Sequence, residues 1–228
     1  MLRTLIATIA LVSLAPSLVF AQSTALQQKV AAVEAAAYKN MQMLGEYTWQ
    51  QQETVSVRGD VKKTALYQVQ LGPNGKPVKV DISQSQPQHQ RRFGIRHRIT
   101  EDYLAYGQQI ARLVGSYTQL QPGRIKQLYT QGSVALPSGG APGLDTVVIS
   151  NYVKPGDVVT ITFDRAQKAV VAIQVGSYLD GPSDVVTIAA QFAKLPDGTS
   201  HVATATVNGQ SKSLTIQDVN MNYQKRTN

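Results

Sequence analysis

The chain has 228 residues, no cysteine and a formal net charge of +8, from 22 basic and 14 acidic side chains. The lack of cysteine excludes disulfides and thiolate metal ligands, so a hydrophobic core must provide the stability. The positive charge favours anionic partners such as phospholipid head groups or wall polymers, and it says nothing about the fold.

Residues 1–21 are predicted to be a cleaved signal peptide. Arg3 precedes an apolar run from Leu5 to Leu18, and Val19-Phe20-Ala21 places small or tolerated side chains where signal peptidase reads them. The run is too short for a stable membrane span, and the cleavage site lacks the cysteine that a bacterial lipoprotein needs. We therefore expect a periplasmic or secreted protein that is not a lipoprotein, with residues 22–228 forming a single domain.

The first predicted elements are one helix and three strands. Ala25 to Leu44 has a helical period with an apolar stripe, and Gly45 follows it. Apolar and polar residues then alternate from Tyr47 to Ile82, interrupted by turn sequences at Arg58-Gly59-Asp60 and at Gly72 to Pro77. This pattern predicts an antiparallel meander of three strands.

The middle of the chain predicts a polar and basic loop followed by a helical hairpin. The regularity stops between Ser83 and Ile99, where the stretch from Arg91 to Arg98 is strongly basic. Thr100 suits the N-cap of a first helix, and Pro122 suits the first turn of a second, shorter one that Gly132 closes.

The rest of the chain predicts about six strands with turns between them. The strongest two-residue hairpin signal is Asn208-Gly209. Strands spaced about ten residues apart favour one large antiparallel sheet. The predicted fold class is α+β, a strongly curved antiparallel sheet or half-open β-barrel with an N-terminal helix and a central helical hairpin. The strands are expected at residues 146–153, 157–163, 170–178, 185–193, 199–207 and 212–222.

This order of elements resembles the LolA-like family of periplasmic lipoprotein carriers and their relatives. The similar stretches are Ile161-Thr162-Phe163-Asp164 followed by Val170 to Val175, and Val186 to Phe192 running into Leu195-Pro196-Asp197-Gly198. The resemblance implies an incomplete β-barrel whose helices cover an apolar cavity, and a protein that binds lipids or lipoproteins. It assigns no ligand-binding residue to any position of this chain.

The residues carry no recognisable signature of an enzyme. His89, His97 and His201 lack the spacing of a metal site, and the sequence contains no G-x-S-x-G nucleophile elbow. Glu101 and Asp102 are neighbours at a predicted helix start, where the helix dipole explains them. We expect no catalysis, no cofactor and no bound metal, and few aromatic residues argue against nucleic acid.

The first candidate site is the basic loop. Four arginines and two aliphatic or aromatic residues lie within eight positions, and guanidinium groups bind phosphate or carboxylate well. The same stretch is equally consistent with a solvated loop before a helix. The candidate residues are Arg91, Arg92, Phe93, Arg96 and Arg98.

The second candidate site is the apolar face of the central helices, with Ile110, Leu113 and Val114, together with Trp49, the single tryptophan. These residues predict either a cavity for acyl chains or a plain core. The preferred function is therefore an exported, non-catalytic binding or carrier protein for an acyl chain, lipid or similar amphiphile. The alternative is an envelope- or wall-associated adaptor whose basic loop binds an anionic polymer or membrane surface.

Overall fold

The computed structural model describes residues 38–73, 75–83, 95–118, 124–137 and 140–226, with only the backbone described for residues 95–100 and 126. These residues contain three helices: α1 at residues 38–44, α2 at Ile95–Tyr117 and α3 at Arg124–Thr130. All of them belong to one compact unit that begins at Tyr38. The predicted signal peptide and the first part of the predicted N-terminal helix lie outside the described residues.

Ten strands form one sheet. In chain order they are β1 Tyr47–Val57, β2 Asp60–Leu71, β3 Pro77–Asp81, β4 Val134–Ala135, β5 Leu144–Ser150, β6 Val158–Asp164, β7 Ala169–Tyr178, β8 Val185–Lys194, β9 Ser200–Gly209 and β10 Leu214–Lys225. Their spatial order is β3-β2-β1-β10-β9-β8-β7-β6-β5-β4, and every neighbouring pair is antiparallel. The sheet is open, because β3 and β4 are its edges and do not pair with each other.

The first strands follow the predicted meander. Arg58 and Gly59 have φ angles of 53° and 85°, so this two-residue turn uses the left-handed region, which glycine adopts at no steric cost. The chain returns to the middle of the sheet through β10, whose residues pair with β1 from Val57 opposite Leu214 to Tyr47 opposite Lys225. The two ends of the described chain are therefore joined by a long ladder of backbone hydrogen bonds.

Helices α2 and α3 cover the same face of the sheet, called the helix face below. Their contacts run along a line of directly paired residues, one from each of seven strands, which we call the core row. Ile149, Val159 and Val175 of this row pack with Leu128 of α3, and Val207 packs with Ile110 of α2. The core row consists of Val55, Ile216, Val207, Ile188, Val175, Val159 and Ile149.

One predicted turn is wrong. Asn208 and Gly209 lie in β9, paired with Thr215 and Leu214, and the hairpin turn falls one step later, at residues 210–213. Gly209 is buried, and a Cβ atom added there would lie 2.6 Å from Cε1 of Tyr106 in α2. The glycine therefore serves the close approach of a helix to a strand, and not a turn.

The start of α2 also differs from the prediction. The helix begins at Ile95, so Thr100 is inside it and does not cap it, and the last four residues of the predicted basic loop are helical. The sequence has no glycine or proline between Gly94 and Gly107, so no helix-breaking residue prevents α2 from starting at Ile95. Each helix that the structure describes is too short or too polar to span a membrane.

Candidate functional site

A second row of paired residues crosses the helix face, two positions from the core row on each strand that the two rows share. It contains two acidic residues, three alanines and three branched apolar residues, and we call it the carboxylate row. Directly paired residues project on the same face, so these eight side chains form a continuous strip. The row consists of Ala65, Glu53, Asp218, Ala205, Ala190, Ile173, Ile161 and Val147.

Two carboxylates face each other at one end of this strip. Glu53 of β1 and Asp218 of β10 are direct cross-strand partners. Side chains in that relation have Cβ atoms about 5 Å apart, and like charges there are destabilising. A chain that needed only a stable sheet would place an apolar or oppositely charged pair at these positions, so the pair is a candidate functional feature.

Two lysines and a tyrosine surround Glu53. Lys63 Nζ lies 3.7 Å and Lys79 Nζ lies 4.0 Å from the carboxylate oxygens of Glu53. The Tyr67 hydroxyl accepts a hydrogen bond from Lys63 at 3.0 Å and lies 3.5 Å from Glu53 Oε1. The two ammonium groups remain partly accessible to solvent, so each is able to contact a further acidic group as well as Glu53.

Asp218 is less well compensated than Glu53. Its Oδ1 atom is enclosed by protein and has no hydrogen-bond partner in the described part of the chain. Burial raises the pKa of Asp218 above its ordinary value and Glu53 adds to the rise, against the opposing effects of Lys79 and of a hydrogen bond from Gln51. An enclosed carboxylate oxygen without a hydrogen-bond partner lowers stability, so the needs of the sheet do not explain this residue.

The remainder of the carboxylate row is apolar, and its isoleucines pack against the core cluster of Leu128. Ala205 and Ala190 stand next to Asp218, followed by Ile173 and Ile161, and all four are half-buried. Alanine side chains leave more space above a sheet than the valines and isoleucines of the core row. The strip therefore combines a charged end with an apolar floor.

The helix residues that the sequence nominated as a cavity lining pack directly on the sheet. Ile110 is 1% exposed and Leu113 is buried beside it, in a cluster with Tyr106 and Leu214. Val114 is half-buried against the same cluster. Full burial of an isoleucine contributes about 1.5–3 kcal/mol relative to exposure.

Trp49 lies near the other end of β1, away from those helix residues. Its indole ring stacks on Tyr223 with centroids 5.4 Å apart, and its Nε1 donates to Asn220 Oδ1 at 3.1 Å. The His201 ring lies 4.2 Å from that of Tyr223. Burial raises the pKa of the Tyr223 hydroxyl. The structure therefore separates Trp49 from the other nominated residues and gives it an aromatic cluster of its own.

The structure describes little of the basic candidate site. Arg91, Arg92 and Phe93 lie outside the described residues, and Arg96 and Arg98 are placed only as backbone in the first turn of α2. The prediction that these residues bind an anionic partner stays a prediction.

A buried aspartate in the loop before β6 has a structural role. Asp157 is fully buried and accepts backbone N–H bonds from Tyr152, Val153 and Lys154 at 2.6–3.0 Å. The Tyr117 hydroxyl donates to it at 2.6 Å, which ties the end of α2 to this loop, and burial is the main cause of the raised pKa of Tyr117. Every contact of Asp157 holds the loop together, so it is not a site candidate.

Two further features of the described residues bear on ligand and metal binding. A shallow depression of about 240 Å³ lies between α2 and the β7–β8 loop, lined by both polar and apolar residues, among them Arg112, Leu113 and Lys154. Its volume is below the about 300–1,000 Å³ typical of a small-molecule pocket. Within the described ranges, no three acidic, histidine or cysteine side chains come together in a way that could hold a metal ion.

Comparison of the chain with protein-family models, with curated proteins and with solved structures gives no match.

Proposed function

We propose that this protein is an exported, non-catalytic binding or carrier protein for an amphiphile, with a LolA-like half-open barrel as its finer architecture. The observation that carries the proposal is the carboxylate row. It places a costly pair of acidic residues at one end of an apolar strip on the face where the helices lie.

The chemistry of the row suits a ligand with a polar head and an apolar tail. The tail would lie over Ala205 and Ala190, whose half-buried apolar surface gains free energy when covered, at about 25 cal/mol per Å². The head would donate a hydrogen bond to Asp218 and present an acidic group to Lys63 and Lys79. A zwitterionic or hydroxyl-bearing acidic head group meets both requirements.

Binding without covalent chemistry fits the surroundings of the acidic pair. Glu53 lies close to two lysines, which hold it as an ion-pair partner, and Asp218 is enclosed. The arrangement therefore recognises charge and hydrogen-bonding groups, which is the task of a binding site.

The direct packing of Ile110 and Leu113 supports a second candidate function. A solid core under α2 is what the envelope-associated adaptor requires, because that function needs no cargo space beneath the helices. In that case the basic stretch from Arg91 to Arg98 would bind an anionic polymer or membrane surface.

The test is to produce the full chain in a bacterial host, purify it without detergent and extract it for lipid mass spectrometry. Two neighbouring residues of β8 provide a matched pair of variants. Ala190→Asp places a charge on the carboxylate row, and Ala189→Asp places the same charge on the opposite face of the same strand. Both residues are half-buried, so the cost to β-structure is similar.

We expect a near-stoichiometric amphiphile in the wild type and in Ala189→Asp, and its loss in Ala190→Asp. Thermal unfolding of both variants establishes that they are folded. A folded wild type that carries no amphiphile and takes up no added fatty acid or phospholipid would contradict the proposal and favour the adaptor.

A further inference from the structure

Edge strand β3 carries an exposed apolar surface. Val78 and Val80, with Ile82 directly after the strand, are 47%, 60% and 38% exposed and follow one another on the outer face of the sheet, opposite the helix face. Among the described strands β3 pairs only with β2. An exposed, apolar edge strand is a template for pairing with another chain unless it is protected.

The backbone of β3 presents hydrogen-bonding groups at this edge. Lys76 O accepts from Gly72 N, and Ile82 N donates to Leu66 O, so even-numbered residues direct their backbone groups toward β2. In an antiparallel ladder the alternate residues direct theirs to the other side. The N–H and C=O groups of Lys79 and Asp81 therefore point away from β2.

The sequence of this strand is complementary to itself when read in the antiparallel direction. If two copies pair with Val80 opposite Val80, then Val78 faces Ile82 and Lys79 faces Asp81 of the second copy. Each apolar residue meets an apolar residue on the outer face, and each charge meets the opposite charge on the helix face. Shifting the centre to Lys79 would place two lysines directly opposite each other.

The same register satisfies the backbone. Lys79 and Asp81 of the two copies become hydrogen-bonded pairs, which exchange both N–H···O bonds, so two symmetric pairs make four bonds. Val80 opposite Val80 is a non-hydrogen-bonded pair, where side chains come closest. Charge, apolar pattern and hydrogen-bond direction thus select one register.

We propose that two copies of this chain associate through β3 in a two-fold symmetric, antiparallel arrangement centred on Val80. The contact is isologous, as two-fold symmetry requires. A five-residue strand buries less than the about 1,600 Å² of a standard interface, so the dimer is expected to be weak, with a dissociation constant in the micromolar range. This inference does not depend on the proposed ligand.

The absence of cysteine makes cross-linking a specific test of the register. Val80→Cys places two thiols directly opposite each other, with Cα atoms about 4.5 Å apart, inside the range that a disulfide spans. Val78→Cys is the matched control on the same face, because its two copies would be four residues apart along the strand, about 14 Å. Mild oxidation of the full chain should give a disulfide-linked dimer only for Val80→Cys. Equal cross-linking of both variants, or none, would overturn the proposal.

Sedimentation velocity over a concentration series measures the association itself. The wild type should shift from monomer to dimer, and Val80→Lys should weaken association about tenfold or more, because two lysines replace an apolar pair. Val61→Lys is the control, since Val61 is 62% exposed on the same face but far along β2, and it should associate like the wild type. A wild type that is monomeric at every concentration would also overturn the proposal.

Charge exchange tests the Lys79–Asp81 pairs. Lys79→Asp alone opposes two acids, and Asp81→Lys alone opposes two lysines, so each variant should be monomeric. An equimolar mixture should form a heterodimer, because both acids of the first variant then face lysines of the second. Because Lys79 also lies near Glu53 and Asp81 accepts a bond from Ser83 N, circular dichroism checks that both variants are folded. A mixture that stays monomeric while the wild type dimerises would contradict this register.

Discussion

The carboxylate row runs beside the core row on the same face of the sheet, two residues away on each of the seven strands that they share, and it continues onto β2. In the core row every residue is a valine or an isoleucine, and helices α2 and α3 pack on it. In the carboxylate row Glu53 and Asp218 lie opposite each other on β1 and β10, and two alanines follow. Only the far end of this row, Ile173, Ile161 and Val147, packs against the cluster under α3.

This difference between the rows separates residues that stabilise the fold from residues whose presence stability does not explain. The core row buries branched side chains and stabilises the sheet. The carboxylate row opposes like charges and encloses a carboxylate oxygen without a partner in the described structure, both of which lower stability. Truncation of the core beneath the helices should therefore lower stability, whereas neutralising Asp218 should raise it.

The largest effect is expected from the core beneath α2. Ile110→Ala should lower the free energy of unfolding by about 2–5 kcal/mol, because it removes buried methyl groups and leaves a cavity. Leu104→Ala in the same helix is the control: Leu104 is 62% exposed, and its loss should change stability by about 0.5 kcal/mol or less. Urea unfolding measures both. Equal effects would show that α2 is not packed on the sheet as described.

Gly209 tests the close approach of α2 to β9. A Cβ atom there would also lie 2.7 Å from Cδ1 of Ile110, so Gly209→Ala should cost about 1–3 kcal/mol through overpacking. Gly115→Ala is the control, because a Cβ atom at Gly115 would meet nothing within 4 Å, and alanine in a helix is favoured over glycine by about 0.5–1 kcal/mol. The two glycines should respond with opposite signs in thermal unfolding, and a neutral Gly209→Ala would contradict the packing.

Tyr117 tests the connection between α2 and the loop before β6. Tyr117→Phe removes one of the donors to buried Asp157 and a second bond to Ser177 at 2.9 Å, and should cost about 1–3 kcal/mol. Tyr178→Phe loses an exposed bond to Pro155 O and should cost less. Chemical unfolding distinguishes them, and a greater loss for Tyr178→Phe would show that Asp157 is held by its backbone donors alone.

Asp218→Asn should have the smallest effect on the free energy of unfolding, and it should raise that energy instead of lowering it. The pKa of Asp218 is raised in the folded state, so the folded protein binds this proton more tightly than the unfolded chain does. The wild type therefore loses stability as pH rises from about 4 through the folded pKa. Asp218→Asn does not ionise, so its gain over the wild type should grow through that range and then level off, at a few tenths to about 1 kcal/mol. Thermal unfolding at several pH values measures the difference. A gain that does not change with pH would contradict the raised pKa.

Much of the sheet could be predicted from local pattern. Alternation and turn residues predicted all the long strands, and Arg58-Gly59 formed the expected turn. Gly209 could not be predicted in the same way, because its role depends on Tyr106, about one hundred residues earlier in the chain. A glycine that accommodates a helix and a glycine that makes a turn look the same locally.

The candidate site was harder to predict than the fold. Glu53 and Asp218 are 165 positions apart, and only the pairing of β1 with β10 brings them together. The one local signal was an acidic residue at an inward position of an alternating strand, in each of the two strands. The sequence instead nominated Ile110 and Leu113, because an apolar helix face looks the same whether it lines a cavity or packs on a sheet.

If Asp218 is kept for a ligand and not for stability, neutralising it should stabilise the protein and weaken ligand binding. The direct test is to measure melting temperature and bound amphiphile on the same preparation of Asp218→Asn at neutral pH, beside the wild type. We predict a higher melting temperature together with less bound amphiphile. A lower melting temperature with unchanged amphiphile would show that Asp218 stabilises the sheet, and would contradict the account.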